Sequence, residues 1–151
     1  MNEGERRATQ TLYGLIALCI CNHMVLAGTR VVVTLAALAQ GANVGEVGLL
    51  LALFALLPML IAVPSGRWSA RAGVRLPLLL GSIMLACAAA IPSVLMGLWP
   101  LYVAAPLIGM AFSGFQIAAQ NATGELGGPL LRSRNFGLLS LGQSVSMFIG
   151  P

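Results

Sequence analysis

Long apolar runs constrain this chain more than any motif in it. Segments near 12–39, 44–63, 76–95 and 101–123 are almost purely hydrophobic, and each is bounded by a turn signal or by arginines. Their apolar residues come in blocks, without the three-to-four-residue alternation of a helix that lies half in water. At about 1.5 Å per residue each run can cross a hydrocarbon core of ~30 Å, and the first is long enough to tilt or to project. Inside lipid a backbone must satisfy its own polar groups, and a helix does so within one segment. The expected fold class is therefore all-α, a polytopic transmembrane helical bundle. Composition agrees: 58% of the 151 residues are hydrophobic and 8% are charged, whereas a soluble domain carries roughly a quarter charged residues to cover its surface.

The connections have their own chemistry. QGAN at 40–43 reads as a turn, and Asn43 followed by Glu46 reads as a capping box that opens the second span. That pairing assigns Glu46 to the cap rather than to proton transfer. Pro58 lies inside the second span, where neighbours can re-satisfy the freed carbonyl. MGLWP at 96–100 is a short loop, and GELGGPLLRSRN at 124–135 is a polar, glycine-rich one. A fifth apolar run, 136–151, is about 24 Å of helix and stops without a polar flank, so it reads as a span truncated midway. Residues 1–11 form a short hydrophilic N-terminus with no signal-peptide pattern. Cys19, Cys21 and Cys87 fall within apolar runs and read as small hydrophobes.

The arginines orient the bundle. Arg6 and Arg7, then Arg67, Arg71 and Arg75, then Arg132 and Arg134 all fall at alternate ends of the spans, hence on one side, while the turns at 41–43 and 96–100 carry none. Positive charge is retained on the cytoplasmic side. The expectation is a multi-pass protein of the inner membrane with its N-terminus in the cytoplasm. Tyr13 and Trp68 fall at one interface and Trp99 and Tyr102 at the other, as amphipathic rings prefer.

Between the second and third spans runs Gly66-Arg67-Trp68-Ser69-Ala70-Arg71-Ala72-Gly73-Val74-Arg75. This stretch resembles the signature of the major facilitator superfamily, G-x-L-a-D-R-x-G-R-[RK], and matches it at Gly66, Arg71, Gly73 and Arg75. Gly66 is expected to permit close helix approach and Gly73 a tight turn. The arginines can bond helix-end carbonyls and acidic lipid headgroups. Ala70 stands where the family has Asp, and Val74 where it usually has Arg. In the family that Asp pairs with arginine and helps latch one access state, so the departure touches the latch. Gly150-Pro151 resembles the opening of a G-P-x-x-G-G motif that antiporters of the superfamily carry on the fifth span. The resemblance implies the front portion of a transporter with about twelve spans in two related halves, and a carboxy-terminal half as partner.

Polar residues inside the spans mark where a solute would sit. In the first span Cys19, His23, Arg30 and Thr34 fall within roughly a 60° arc, with Asn22 about 60° further round. In the fourth, Ser113, Gln116, Gln120 and Thr123 share roughly an 80° arc, and in the fifth Ser140, Gln143 and Ser144 cluster. Such faces must point into protein or a wet cavity. In the superfamily the first and fourth helices line the substrate cavity, so Asn22, His23, Arg30, Gln116, Gln120 and Gln143 are the candidate cavity residues. For Ser and Thr, hydrogen bonding between helices is the simpler account. Arg30 is different, because a charge at that depth costs about 3 kcal/mol or more unless paired or wet, and no Asp or Glu in the spans can pair with it.

Cys19-x-Cys21-x-His23 is no metal site on a helix, since Cys21 points roughly 200° away from Cys19. Asn121-Ala122-Thr123 fits a glycosylation acceptor but sits at a cytoplasmic end. No phosphate-binding glycine loop and no nucleophile with a base at helical spacing occurs, so neither ATP drive nor catalysis is expected, and no cofactor. The reading is a secondary transporter of a small organic solute, anionic by the argument from Arg30, working by alternating access, with proton-coupled efflux as a mode. If protons drive it, His23 or a residue beyond Pro151 carries them. Its partners are membrane lipids, the solute and protons, with no nucleic acid. The alternative is a non-transporting membrane scaffold or subunit made of these five spans.

Overall fold

A computed structural model describes residues 3–126 and 128–150. They form five helices: α1 (Glu3–Ala39), α2 (Val44–Ala72), α3 (Arg75–Val94), α4 (Leu98–Glu125) and α5 (Pro129–Ile149). Four of them, α1 to α4, are long and apolar enough to cross a membrane. α5 is long enough at about 32 Å, but Arg132, Arg134 and its serines make it more polar, and it lies against α1 and α4.

The local signals explain where the helices start and stop. Asn43 Oδ1 accepts from the Glu46 backbone N–H at 3.0 Å, while the Asn43 N–H donates to Glu46 Oε2 at 2.7 Å, which closes the capping box of α2. At its other end α2 runs nine residues beyond the apolar run that ends at 63, through Gly66, Arg67, Ala70 and Arg71. Those residues tolerate helix, and nothing halts the chain until Gly73, whose φ of +74° turns it into α3. α1 likewise begins at Glu3, so the hydrophilic N-terminal residues continue the first span as one helix of about 55 Å. α5 begins within the polar stretch 124–135, with Pro129 in its first turn and Gly128 at φ +75° before it.

α4 is the hub, touching each of the other four helices. Its inward face is small: Ala104, Ala105, Gly109, Ala111, Ala118 and Ala119 are all buried. Without a hydrophobic drive between helices in lipid, close approach of small residues supplies the packing. A Cβ on Gly109 would run into the Phe54 carbonyl oxygen of α2 and lie 2.8 Å from Pro58 Cγ. A Cβ on Gly81 of α3 would lie 2.8 Å from Phe115 Cβ and 3.1 Å from the Ala111 carbonyl oxygen. A Cβ on Gly142 of α5 would lie 3.1–3.3 Å from Ile16 and Ile20 of α1. Gly66 does not follow the sequence expectation: a Cβ there meets nothing within 4 Å, because in this chain the close crossings of α2 and α3 with α4 lie deeper, at Gly109 and Gly81.

One buried cluster joins Val33, Leu50, Phe54, Leu85, Leu101 and Ile108 towards the arginine-poor end, and a second joins Leu15, Cys19, Phe115, Ala119 and Leu139 towards the other. Large apolar side chains such as Val32, Leu35, Met59, Leu60, Leu79 and Ile83 stay exposed, a surface suited to lipid or to further helices.

This packing sorts the glycines by measurement. Gly109→Val should lower stability by about 1–3 kcal/mol, because the α2–α4 crossing cannot open without shifting the Phe54 backbone. Gly66→Ala should leave it unchanged or slightly higher. Thermal unfolding in detergent checks both, and equal midpoints for Gly109→Val and the parent would contradict the assigned crossing.

Candidate functional site

The polar side chains of α1 splay to different neighbours as the helix passes through the bundle. Asn22 is buried, and its amide donates to the Leu18 carbonyl at 2.9 Å and to Ser82 Oγ of α3 at 3.3 Å. Two turns further on, Arg30 turns to the opposite neighbours. Its guanidinium carbon lies 5.5 Å from the Phe54 ring centroid of α2, a cation–π contact. Between these levels His23 sets its ring edge-on to Phe112 of α4, with centroids 4.7 Å apart and planes at 88°, and its Nδ1 lies 3.3 Å from the Cys19 carbonyl oxygen. Thr34 donates to the Arg30 carbonyl at 2.8 Å and so belongs to the helix itself.

Arg30 opens into a cavity of ≈ 360 Å³ between α1, α2 and α4. Its polar lining is Arg30, Ser113, Gln116 and Gln120, and its apolar lining is Leu26, Phe54, Pro58, Gly109, Phe112 and Ile117. Among the described residues no carboxylate lines it. Glu46 is held in its cap, with its own carbonyl accepting from Tyr102 OH at 3.4 Å. Two polar atoms in this wall stand out: Arg30 Nε and Gln116 Oε1 are buried with no hydrogen-bond partner. An unmet buried polar atom costs roughly 1–3 kcal/mol, more where charge is involved.

Of the six candidate cavity residues, Arg30, Gln116 and Gln120 come together here. His23 stands behind Phe112 and touches the cavity through that ring. Asn22 faces α3, and Gln143 is half-buried on α5, its carbonyl accepting from Ser146 Oγ at 2.7 Å; neither lines the cavity. Of the α4 stripe, Thr123 is fully buried and donates to the Ala119 carbonyl, a packing role. Phe54 and Phe112 are the residues that sequence reasoning missed. An aromatic ring within an apolar run carries no mark that separates a cavity wall from a lipid face.

A second cavity of ≈ 630 Å³ lies at the arginine-bearing end, between the last turns of α2 and α4 and the first of α5. Ser69, Ala70 and Gly73 line it from α2, Gln120, Asn121 and Glu125 from α4, and Arg132 and Phe136 from α5. Asn121 donates to Ser69 Oγ at 3.4 Å, tying α4 to α2, and Asn135 donates to the Leu126 carbonyl at 2.6 Å, tying α5 to the end of α4. The signature residues are thus divided: Ala70 and Gly73 border this cavity, while Arg67, Arg71 and Arg75 are exposed around it. Gln120 borders both cavities. Among the described residues no cluster of three His, Cys, Asp or Glu is placed to hold a metal ion.

Set against known proteins, residues 15–151 match the family model described as Major Facilitator Superfamily. No curated protein and no solved structure matches the chain.

The geometry separates polar residues that hold the bundle from those that face the cavity. Asn22→Leu should cost about 1–2 kcal/mol, since it strands Ser82 and removes two hydrogen bonds. Gln116→Met should be neutral or stabilising, because it removes an unmet buried oxygen. Thermal melts of the two variants in the same detergent decide it, and a destabilised Gln116→Met beside a neutral Asn22→Leu would reverse the assignment.

Proposed function

The chain belongs to the major facilitator superfamily, and from that premise we propose that it builds the solute-binding part of a secondary active transporter for small organic anions. The observation that carries this reading is Arg30, a cation deep in the bundle at the wall of a cavity where, among the described residues, no carboxylate faces it. An unpaired charge at that depth is costly. The Phe54 ring offsets part of that cost and holds the guanidinium in place, and an entering carboxylate or phosphate offsets more through charge-assisted hydrogen bonds. A volume of ≈ 360 Å³ suits a small solute. Alternating access would expose this cavity to each side in turn, and the exposed polar faces of α4 and α5 would be covered by the companion half of the transporter.

Export driven by protons is the mode we assign. His23 is the side chain within these helices suited to carry a proton, and its ring reports on the cavity through Phe112. The Gly150-Pro151 pair, which resembles the opening of the antiporter motif, agrees with export, and Gly150 seats the end of α5 on α1, where a Cβ would lie 3.0 Å from Ala27 Cβ. The membrane is the inner one, with the N-terminus and the arginine-rich ends in the cytoplasm.

Two experiments test this. In proteoliposomes of the intact transporter, Arg30→Gln should weaken competition by organic anions about tenfold or more, with Arg30→Lys in between, because Lys lacks the guanidinium fork. Unaltered transport of every anionic candidate by Arg30→Gln would refute the anion reading. For orientation, single cysteines at Gln40 and Met96, both exposed, should react with an impermeant thiol reagent added to intact cells in a cysteine-free background. Cysteines at Ala72 and Ser133 should react only after lysis, and the reverse pattern would invert the topology.

A further inference from the structure

The cavity beside Arg30 carries two unmet hydrogen-bonding atoms of opposite kind. Arg30 Nε is a donor and Gln116 Oε1 is an acceptor, and both are buried without a partner. They belong to side chains on different helices, α1 and α4, that face one cavity. A bare anion answers the first and not the second: a carboxylate or phosphate oxygen accepts from the guanidinium, but it has no proton for an amide oxygen. Of the other polar groups of the wall, Ser113 leaves no buried atom unmet and Gln120 is exposed, so neither calls for a particular partner. The remaining lining, Phe54, Pro58, Phe112 and Ile117 among it, offers apolar surface to a carbon body.

We infer that the solute is an anion that also bears a hydrogen-bond donor, a hydroxyl or an N–H, on a small apolar body, with Arg30 pairing the anion and Gln116 accepting from the donor. This inference rests on the anion reading above and adds the second group. It follows from the cost of stranding a buried acceptor: a site built around a donor on the solute rejects the analogue that lacks it far more strongly than a purely apolar pocket rejects a missing methylene. Arg30 therefore selects charge, and Gln116 selects among anions.

Equilibrium competition on the purified intact transporter separates the two. The probes are two matched series, 4-hydroxybenzoate with 4-methoxybenzoate and 4-hydroxybenzamide, and 2-hydroxyisovalerate with isovalerate and 2-hydroxyisovaleramide. In at least one series the hydroxylated anion should bind about tenfold or more tightly than the anion without a donor, and than the neutral amide. Gln116→Met should erase the preference for the hydroxyl while leaving the preference for the anion, and Arg30→Gln should do the opposite. If anions bind through Arg30 but hydroxylated and donor-free forms compete equally in both series, and Gln116→Met changes nothing, the donor inference fails and the anion reading stands. If no anion of either series binds, or if anions and neutral amides compete alike, the anion reading fails and this inference falls with it. Melting of both variants at or above the parent's midpoint shows that the losses come from the site.

Discussion

The guanidinium of Arg30 against the Phe54 ring is the contact on which the rest of this site depends. Among apolar helices in lipid a lone cation is tolerated only where a partner or a wet cavity supports its charge. Phe54 can serve because α2 is drawn hard against α4 at Gly109, where a Cβ would collide with the Phe54 backbone. The close packing and the cation–π contact are thus one arrangement. Small residues on α4 bring α2 close, the close crossing sets an aromatic ring opposite α1, and the ring positions the arginine at the cavity wall. Enlarging Gly109 would act on the site as well as on the fold.

Much of this architecture was legible in the chain itself. The apolar runs located the four long helices, since nothing else can be done with twenty such residues in a row, and Asn43 with Glu46 identified the start of α2 down to its two reciprocal hydrogen bonds. Helix ends were less legible. Hydropathy falls at Pro64 to Arg71 and at Leu130 to Asn135, but the backbone stays helical there because arginine, serine and leucine all accept helix; positive-φ glycines at 73 and 128 make the breaks. The periodicity of α4 put Gln116 and Gln120 on one face, and both line the inner cavity. That of α1 grouped His23 with Arg30, yet it could not say which neighbour each would face, and Asn22 turned to Ser82 of α3. Phe54 and Phe112 were illegible, because their role comes only from what lies opposite them.

Ala70, where the superfamily signature has Asp, borders a roomy cavity of ≈ 630 Å³ rather than an ion pair of its own. On this side the described polar ties between helices are made by amides: Asn121 to Ser69 joins α4 to α2, and Asn135 to the Leu126 carbonyl joins α5 to α4. Neutral hydrogen bonds of this kind hold helices together in lipid at modest strength, about 0.6–2 kcal/mol each. They leave Arg67, Arg71 and Arg75 exposed, where lipid headgroups can meet them. Gln120 borders both cavities.

A solute can reach Arg30 only if the space around it is wet, and thiol reactivity along α4 reads that directly. In a cysteine-free intact transporter, Ser113→Cys should react readily with a small hydrophilic thiol reagent and should be protected by added organic anion, while Leu79→Cys on the lipid-facing side of α3 stays inert. A Ser113→Cys that is as inert as Leu79→Cys, with and without anion, would mean that Arg30 is sealed in packing and that no solute reaches it.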